Sequence, residues 1–313
     1  MFDIQLIEQV VAPIFPRSSP ITVERVEEGI STHVYKIRCA GEIFYLRILP
    51  EEDASFAPEV YVHQLLRDRQ VKVPEVLHFE HRSEALQRSI LVTTEIKGTS
   101  LSKHLLAHEL RAVLLEAGKD LAIINSMPVK QFGWIQRDRP AVLHLEAQLP
   151  TYRAFVYEYL ESDLAILLEV QVLARSEIVA IRQIIEDVDT EFDSGQSYLA
   201  HGDFDVTHIY HYQGRYTGII DFGEIRGANA LYDLGHFRMH DGETLPIPVL
   251  SYLIEGYKEV ATLPADYELK IYLSSLLIAI RALARSVQKG RDIRNHQGLL
   301  SIRRDLQAIM LMK

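Results

Sequence analysis

Residues 201–237 read HGDFDVTHIYHYQGRYTGIIDFGEIRGANALYDLGHF. Three acidic residues lie beside short apolar runs: Asp203 after YLAHG, Asp221 after TGII, and Asp233 within ALYDLGHF. HIYHY and RYTGII read as the two strands of a hairpin, with Gly214 in the turn QGR. A hairpin returns its second end to its first, so Asp203 and Asp221 converge although 18 positions separate them. Ionised carboxylates are rarely buried unless paired or metal-bound. Where two meet at strand ends, one can hold a hard cation such as Mg²⁺. The other can accept a proton from an attacking hydroxyl. These are the parts that phosphoryl transfer requires.

His201-Gly202-Asp203, followed by Ile219-Ile220-Asp221-Phe222-Gly223, resembles the catalytic and metal-binding loops of the aminoglycoside phosphotransferase and choline kinase-like family. The resemblance implies a protein-kinase-like fold, with Asp203 as catalytic base and Asp221 as metal ligand. It also implies that Asp233 braces the catalytic loop from the helix that follows, and that His201 braces it through hydrogen bonds. One position departs from the family pattern HGDxxxxN, whose Asn is a second metal ligand. Here that position is His208. Imidazole suits transition metals better than Mg²⁺. Asp205, in the same loop, is a candidate oxygen ligand in its place.

The chain has 313 residues, 48% hydrophobic and 24% charged, which is ordinary globular composition with room for two lobes. No run of about 18 apolar residues stands out, so no membrane span is expected. MFDIQLIEQVVAPIF reads as an amphipathic helix and not as a signal peptide. Cys39 is the only cysteine, which fits a reducing, cytoplasmic setting. A net charge of −10 argues against a general nucleic-acid binder. Residues 281–313 hold eight Lys/Arg against two Asp, so the rest of the chain is strongly acidic. Solvated helix faces account for this. An acidic surface that attracts a cationic substrate also accounts for it.

From the N-terminus, a short helix is expected in residues 1–18. ITVERVEEG, THVYKIRCAG and EIFYLRIL alternate as a three-stranded antiparallel meander. Residues 56–69 form a helix. VKVPEVLHFE and SILVTTEIKG add two strands, completing a five-stranded sheet. The resemblance makes the first hairpin turn, with Gly29, Ser31 and Thr32, the cover of the ATP phosphates. It makes Arg47 the phosphate contact and Glu59, in the first turn of the helix, the partner of Arg47. Lys36 is a competing basic residue one strand earlier. By the same resemblance Thr93–Ile96 form the hinge, with Glu95 and Ile96 at the adenine. The lobe boundary is expected at 97/98, giving a nucleotide-binding lobe over 1–97 and a helical catalytic and substrate lobe over 98–313. Beyond it, helices are expected over 101–127, 151–172, 176–189, 247–261, 266–289 and 296–311. FGWIQ (132–136) is a short extended piece.

The fold expected is therefore α+β: a kinase-like pair of lobes, with an N-terminal antiparallel sheet carrying one helix and a mainly helical C-terminal lobe. The function expected is that of an ATP- and Mg²⁺-dependent kinase acting on a small-molecule hydroxyl, of an aminoglycoside or another amino-alcohol. Two alternatives remain. His201, Asp203, Asp205, His208 and the His236/His240 pair are compatible with a metal-dependent hydrolase. The His208 departure is compatible with a kinase-like protein that binds nucleotide without turnover.

Overall fold

The computed structural model describes residues 2–15, 20–26, 32–101, 105–188, 195–245, 247–294 and 296–312. Gly29 and Ser31 lie outside them.

The N-terminal lobe is built on five strands: β1 (Ile21–Val26), β2 (His33–Cys39), β3 (Glu42–Ile48), β4 (Val76–Glu80) and β5 (Ile90–Thr94). Their order is β1-β2-β3-β5-β4, and every pairing is antiparallel. Side chains alternate across a sheet. Tyr35, Ile37 and Cys39 of β2 therefore share a buried face with Phe44, Leu46 and Ile48 of β3. Helix α1 (Ile4–Val11) closes that face with Ile7 and Val11. The same alternation sends Arg47, between Leu46 and Ile48, to the opposite face. Helix α2 (Ala57–Asp68) covers that side, opening with Pro58 in its first turn.

The C-terminal lobe is mainly helical: α3 (Ala107–Ile124), α4 (Tyr152–Tyr157), α5 (Leu160–Glu169), α6 (Arg175–Asp187), α7 (Tyr232–His240), α8 (Leu250–Lys258), α9 (Tyr267–Gln288) and α10 (Gln297–Met312). Residues 151–172 form two helices where the sequence suggests one. Thr151 caps α4 by accepting from Ala154 N, and the chain re-starts at Leu160. Helix α9 is long and apolar enough to cross a membrane by length and composition alone, although Arg281 and Arg285 interrupt its apolar run. Here it is a core helix, packed against α5, α7 and α10 with Leu276, Ala279, Ile280 and Leu283 buried. Burying each such Leu or Ile contributes about 1.5–3 kcal/mol.

Two small sheets position the functional loops. One joins β6 (Thr99–Ser100) to the hairpin β10 (Ile209–Tyr212) and β11 (Arg215–Ile219), in the order β11-β10-β6. The hairpin turns on Gln213 and Gly214, both at positive φ (51° and 73°), the geometry of a two-residue primed turn. The other sheet has the order β8-β7-β12-β9, from β7 (Phe132–Ile135), β8 (Ala147–Leu149), β9 (Tyr198–Ala200) and β12 (Arg226–Ala228). Only β7 was visible as an extended piece in the sequence. Strands of three or four residues are too short to show a period of two.

Candidate active site

The loop after β9 is held from beneath by Asp233, in the first turn of α7 and fully buried. His201 N donates to its Oδ2 at 2.8 Å and Gly202 N to its Oδ1 at 2.9 Å. Asn125, at the end of α3, donates from Nδ2 to Oδ2 at 2.8 Å and to the Leu199 carbonyl at 3.0 Å. Three N–H donors thus compensate one buried carboxylate. Gly202 has φ +90°, and a Cβ there would stand 1.9 Å from the Glu224 carbonyl oxygen and 2.8 Å from Arg226 Nε. Only glycine lets the loop pass.

His201 is buried, and its Nε2 lies 2.9 Å from the Ile220 carbonyl. A carbonyl only accepts, so Nε2 carries the proton, and Nδ1 is left to accept from Asp203 N at 3.4 Å. Burial, and then the nearby His208, lower its pKa. A neutral imidazole with both nitrogens engaged is a brace.

Asp203 presents a carboxylate 44% exposed. Its Oδ1 lies 3.4 Å from Nε2 of His236. His236 donates from Nδ1 to the Phe204 carbonyl at 3.1 Å, and burial pushes its pKa down to about 4. The ring is therefore neutral, with the Nε2 lone pair towards Asp203. The sequence offered His236 and His240 as a metal-compatible pair. The structure commits His236 to Phe204 and Asp203, and His240 to Glu243 at 2.5 Å.

Asp221 follows β11 in a left-handed conformation (φ 66°, ψ 69°), uncommon outside glycine but tolerated by Asp. Its Oδ1 accepts from Gly223 N at 3.3 Å and lies 3.6 Å from Arg47 Nη2. Burial alone would raise this carboxyl. Arg47, His208 and His201 outweigh it and hold the pKa below the usual value. Phe222 beside it is fully buried, its ring edge-on to His63 of α2 and tilted on His201. That ring ties the Asp221 loop to both lobes.

Arg47 donates to Glu59 Oε2 at 2.5 Å and lies over the Phe56 ring. Burial opposes its charge, but Glu59 and Asp221 raise its pKa above the ordinary arginine value. Glu59 is fully buried and has a second cation, Arg137, 3.4 Å from Oε1. Arg137 also donates to the Gly223 carbonyl, and its own carbonyl accepts from Ser55 N at 2.7 Å. Sequence reasoning missed Arg137. The available signal was a basic residue directly after the apolar strand FGWIQ, the same logic that singled out Arg47. Lys36 lies on β2 opposite Tyr45.

His208 stands between the carboxylates: Nε2 is 4.0 Å from Asp203 Oδ2 and 4.0 Å from Asp221 Oδ2, and Nδ1 is 3.6 Å from Asp205 Oδ1. Its buried Nδ1 has no hydrogen-bond partner. Asp205 instead accepts from Thr207 N at 2.7 Å and Thr207 Oγ1 at 2.5 Å, closing an Asx turn. It serves the loop's shape.

Arg47, Glu59, Asp203, His208 and Asp221 are thus brought together by a chain of contacts. Thr32 lies in a bend before β2. Glu95 donates from N to the Ile43 carbonyl at 3.2 Å, and its side chain holds the Tyr45 hydroxyl. Burial, and then Glu95, push that phenol up to about 12. Ile96 packs over Gly218 of β11.

A sheet lobe with a buried Arg–Glu pair, facing a helical lobe that carries two loop carboxylates, defines the kinase-like phosphotransferases. Residues 22–269 match the sequence profile of the Phosphotransferase enzyme family (APH), and the chain belongs to that family. Solved structures share the whole fold. A thermostable mutant of aminoglycoside phosphotransferase APH(4)-Ia is 17% identical, with 99% of each chain covered and a TM-score of 0.65. A ternary complex of such a mutant with AMP-PNP and hygromycin B is 19% identical over 97% of each chain, with a TM-score of 0.65. A provisionally assigned fructosamine-3-kinase from Thermobifida fusca YX-ER1 is 16% identical, covering 97% of this chain and 99% of that one, with a TM-score of 0.61. Comparison with curated proteins yields no match.

Proposed function

We propose that the protein is an ATP-dependent small-molecule kinase, transferring the γ-phosphoryl group to an acceptor hydroxyl. The observation that carries this reading is the convergence of an open carboxylate, Asp203, with Asp221 and the buried Arg47–Glu59 pair. The complex of an APH(4)-Ia mutant with AMP-PNP and hygromycin B supports nucleotide use by the shared fold.

The residues present fit Mg²⁺-ATP. Magnesium is usually held by one or two carboxylates together with substrate phosphates. Asp221, 48% exposed and with a lowered pKa, suits that role, and His208 lies beside it. Among the described residues no group of three or more His, Cys, Asp or Glu could hold a metal by itself. This favours an ion shared with a nucleotide over the resident centre of a hydrolase. When bound, the ion neutralises phosphate charge.

The chain's own residues supply the rest. Arg47, aimed by Glu59, offers a guanidinium for phosphate oxygens. On this reading Thr32, in the bend before β2, lies towards the phosphates, and Glu95 and Ile96 belong to the adenine hinge. Asp203 orients the acceptor hydroxyl and takes its proton as the new O–P bond forms. The bond to the β,γ-bridging oxygen breaks, and ADP leaves. The Nε2 lone pair of His236 then shares the proton on Asp203. A reading without turnover rests on His208 alone. A cytoplasmic setting is consistent with the buried, unpaired Cys39.

The test is calorimetry of ATP binding, with and without Mg²⁺, on the wild type and Asp221→Ala, followed by ADP release with Asp203→Asn. Magnesium-dependent binding that Asp221→Ala loses supports the reading. Absence of binding with either Mg²⁺ or Mn²⁺ overturns it.

A further inference from the structure

A cavity of about 310 Å³ opens beside the catalytic loop, between β7, β12 and helices α4, α5, α7 and α9. It shares two residues with the loop's own wall. Arg226 packs against Gly202, with Nε 2.8 Å from where a Cβ would stand. Tyr232 immediately precedes Asp233, and its hydroxyl accepts from Arg226 Nη1 at 2.9 Å. Glu224, which accepts from Arg226 at 3.2 Å, lies near enough to Asp203 for the two charges to interact. The cavity therefore adjoins the loop that carries Asp203, on the helical side.

Its walls are aromatic and aliphatic. Trp134 lies under the Arg226 guanidinium at 4.3 Å, and Phe155, Tyr152 and Tyr232 continue that wall, with Leu277 and Ile278 of α9 also lining the cavity. Such a cavity favours a flat or apolar body.

The charged groups on the lining are Arg226, Arg281, Arg285, Glu158 and Asp163. Most are already satisfied. Asp163 is buried and accepts from Arg281 at 2.8 Å, and Arg281 also stacks on Tyr159. Arg226 is taken by Glu224 and Tyr232. Glu158, exposed, bonds the Tyr159 hydroxyl. Of the charged side chains on the lining, that of Arg285 alone makes no hydrogen bond or ion pair among the described residues. It is exposed, one turn beyond Arg281 on α9, and close enough to act on both Asp163 and Glu224. A polycationic acceptor needs several open carboxylates here. The lining offers one exposed carboxylate, Glu158, and one guanidinium without a hydrogen bond or ion pair among the described residues, that of Arg285. The acidity of the whole chain is not the charge of this site.

We propose that this cavity is the acceptor site and that it selects a hydroxyl compound with an aromatic or flat apolar body and one anionic group, which Arg285 holds. The proposal rests on the kinase reading above.

The test uses the full chain saturated with AMP-PNP and Mg²⁺. Calorimetry compares 3-phenyllactate, an aromatic hydroxy acid, with 2-amino-1-phenylethanol, an aromatic amino-alcohol, and with hygromycin B. The expected result is binding of phenyllactate about tenfold tighter than the amino-alcohol. Arg285→Glu should abolish or reverse that preference, and Arg285→Lys should keep most of it. Arg285 is exposed, so an unchanged melting temperature controls for folding. Tighter binding of either cation, no binding of phenyllactate, or a preference unmoved by Arg285→Glu overturns the proposal. AMP-PNP binding is read separately. Its presence without phenyllactate binding defeats only the acceptor class, and its absence from the wild type defeats the kinase reading itself.

Discussion

Glu59 is fully buried, and Arg47 donates to its Oε2 at 2.5 Å. Removing one member of a buried pair leaves an uncompensated charge and typically costs about 3–5 kcal/mol. Glu59 retains Arg137 at 3.4 Å, so Arg47→Ala is expected near the lower end of that range. Glu59→Ala strands two guanidinium groups and is expected to cost more. Denaturant unfolding measures both. ATP affinity should fall further in Arg47→Ala than in Arg137→Ala, because Arg47 also faces Asp221. Equal losses would place the phosphate contact elsewhere.

Gly202 passes under the Glu224 carbonyl with no space for a side chain. Gly202→Ala forces the backbone at 224 or the loop itself to move, and adds strain at φ +90°. The expected outcome is a loss of about 1–3 kcal/mol of stability. Phosphoryl transfer should fall more steeply than nucleotide affinity, since Asp203 is the next residue and Asp221 lies on a separate loop. Steady-state kinetics with separate KM and kcat values would show the split. A variant with unchanged kcat would mean that the loop's position does not control the base.

Stability should depend on pH in the weakly acidic range. Burial pushes both His63 and His236 down to about 4 in the folded protein. Unfolded, each titrates near about 6.5. Between those values the unfolded chain binds more protons, so stability rises with pH. The contribution is complete above about pH 6.5 and is lost as pH falls towards about 4, at up to about 3 kcal/mol for each ring. His63→Asn keeps a donor for the Pro74 carbonyl, which the wild-type Nδ1 reaches at 2.8 Å, but cannot titrate. Its stability profile from urea titrations should be shallower than wild type over this window. A wild-type profile flat between about pH 7 and about pH 5 would contradict the burial argument.

His208 places an imidazole where an amide oxygen would suit Mg²⁺ better. His208→Asn is expected to raise Mg²⁺-supported turnover relative to Mn²⁺-supported turnover, on the order of tenfold. Rates with each metal, measured on both proteins at matched nucleotide, give the ratio. No change would show that His208 serves only the packing of the loop, through its carbonyl on Ile220 N.

Much of this site was readable because its residues lie in contiguous motifs. Asp203, Asp221 and Asp233 fall within one stretch of 37 residues, each beside a short apolar run. Arg47 was readable because a cation between Leu46 and Ile48 in a strand must either find a partner or reach solvent. Arg137 and Asn125 were not readable in the same way. Their partners Gly223 and Asp233 lie 86 and 108 residues away, and no local pattern marks such a pairing. The four-stranded sheet that carries β9 and β12 was hidden because three-residue strands have no period to detect.

The sequence by itself determined which groups are chemically special and which face of each long element is apolar, because helix and strand periodicity, like motif spacing, are properties of neighbours along the chain. Only the tertiary structure decided what those groups meet. It turned His236 towards Asp203 and bent Asp205 back to Thr207. It left the Arg285 side chain exposed on the lining of a largely aromatic and aliphatic cavity, in a protein of net negative charge. Side-chain partners and local charge depend on distances between remote segments, and those distances exist only once the two lobes and the helices of the C-terminal lobe have packed.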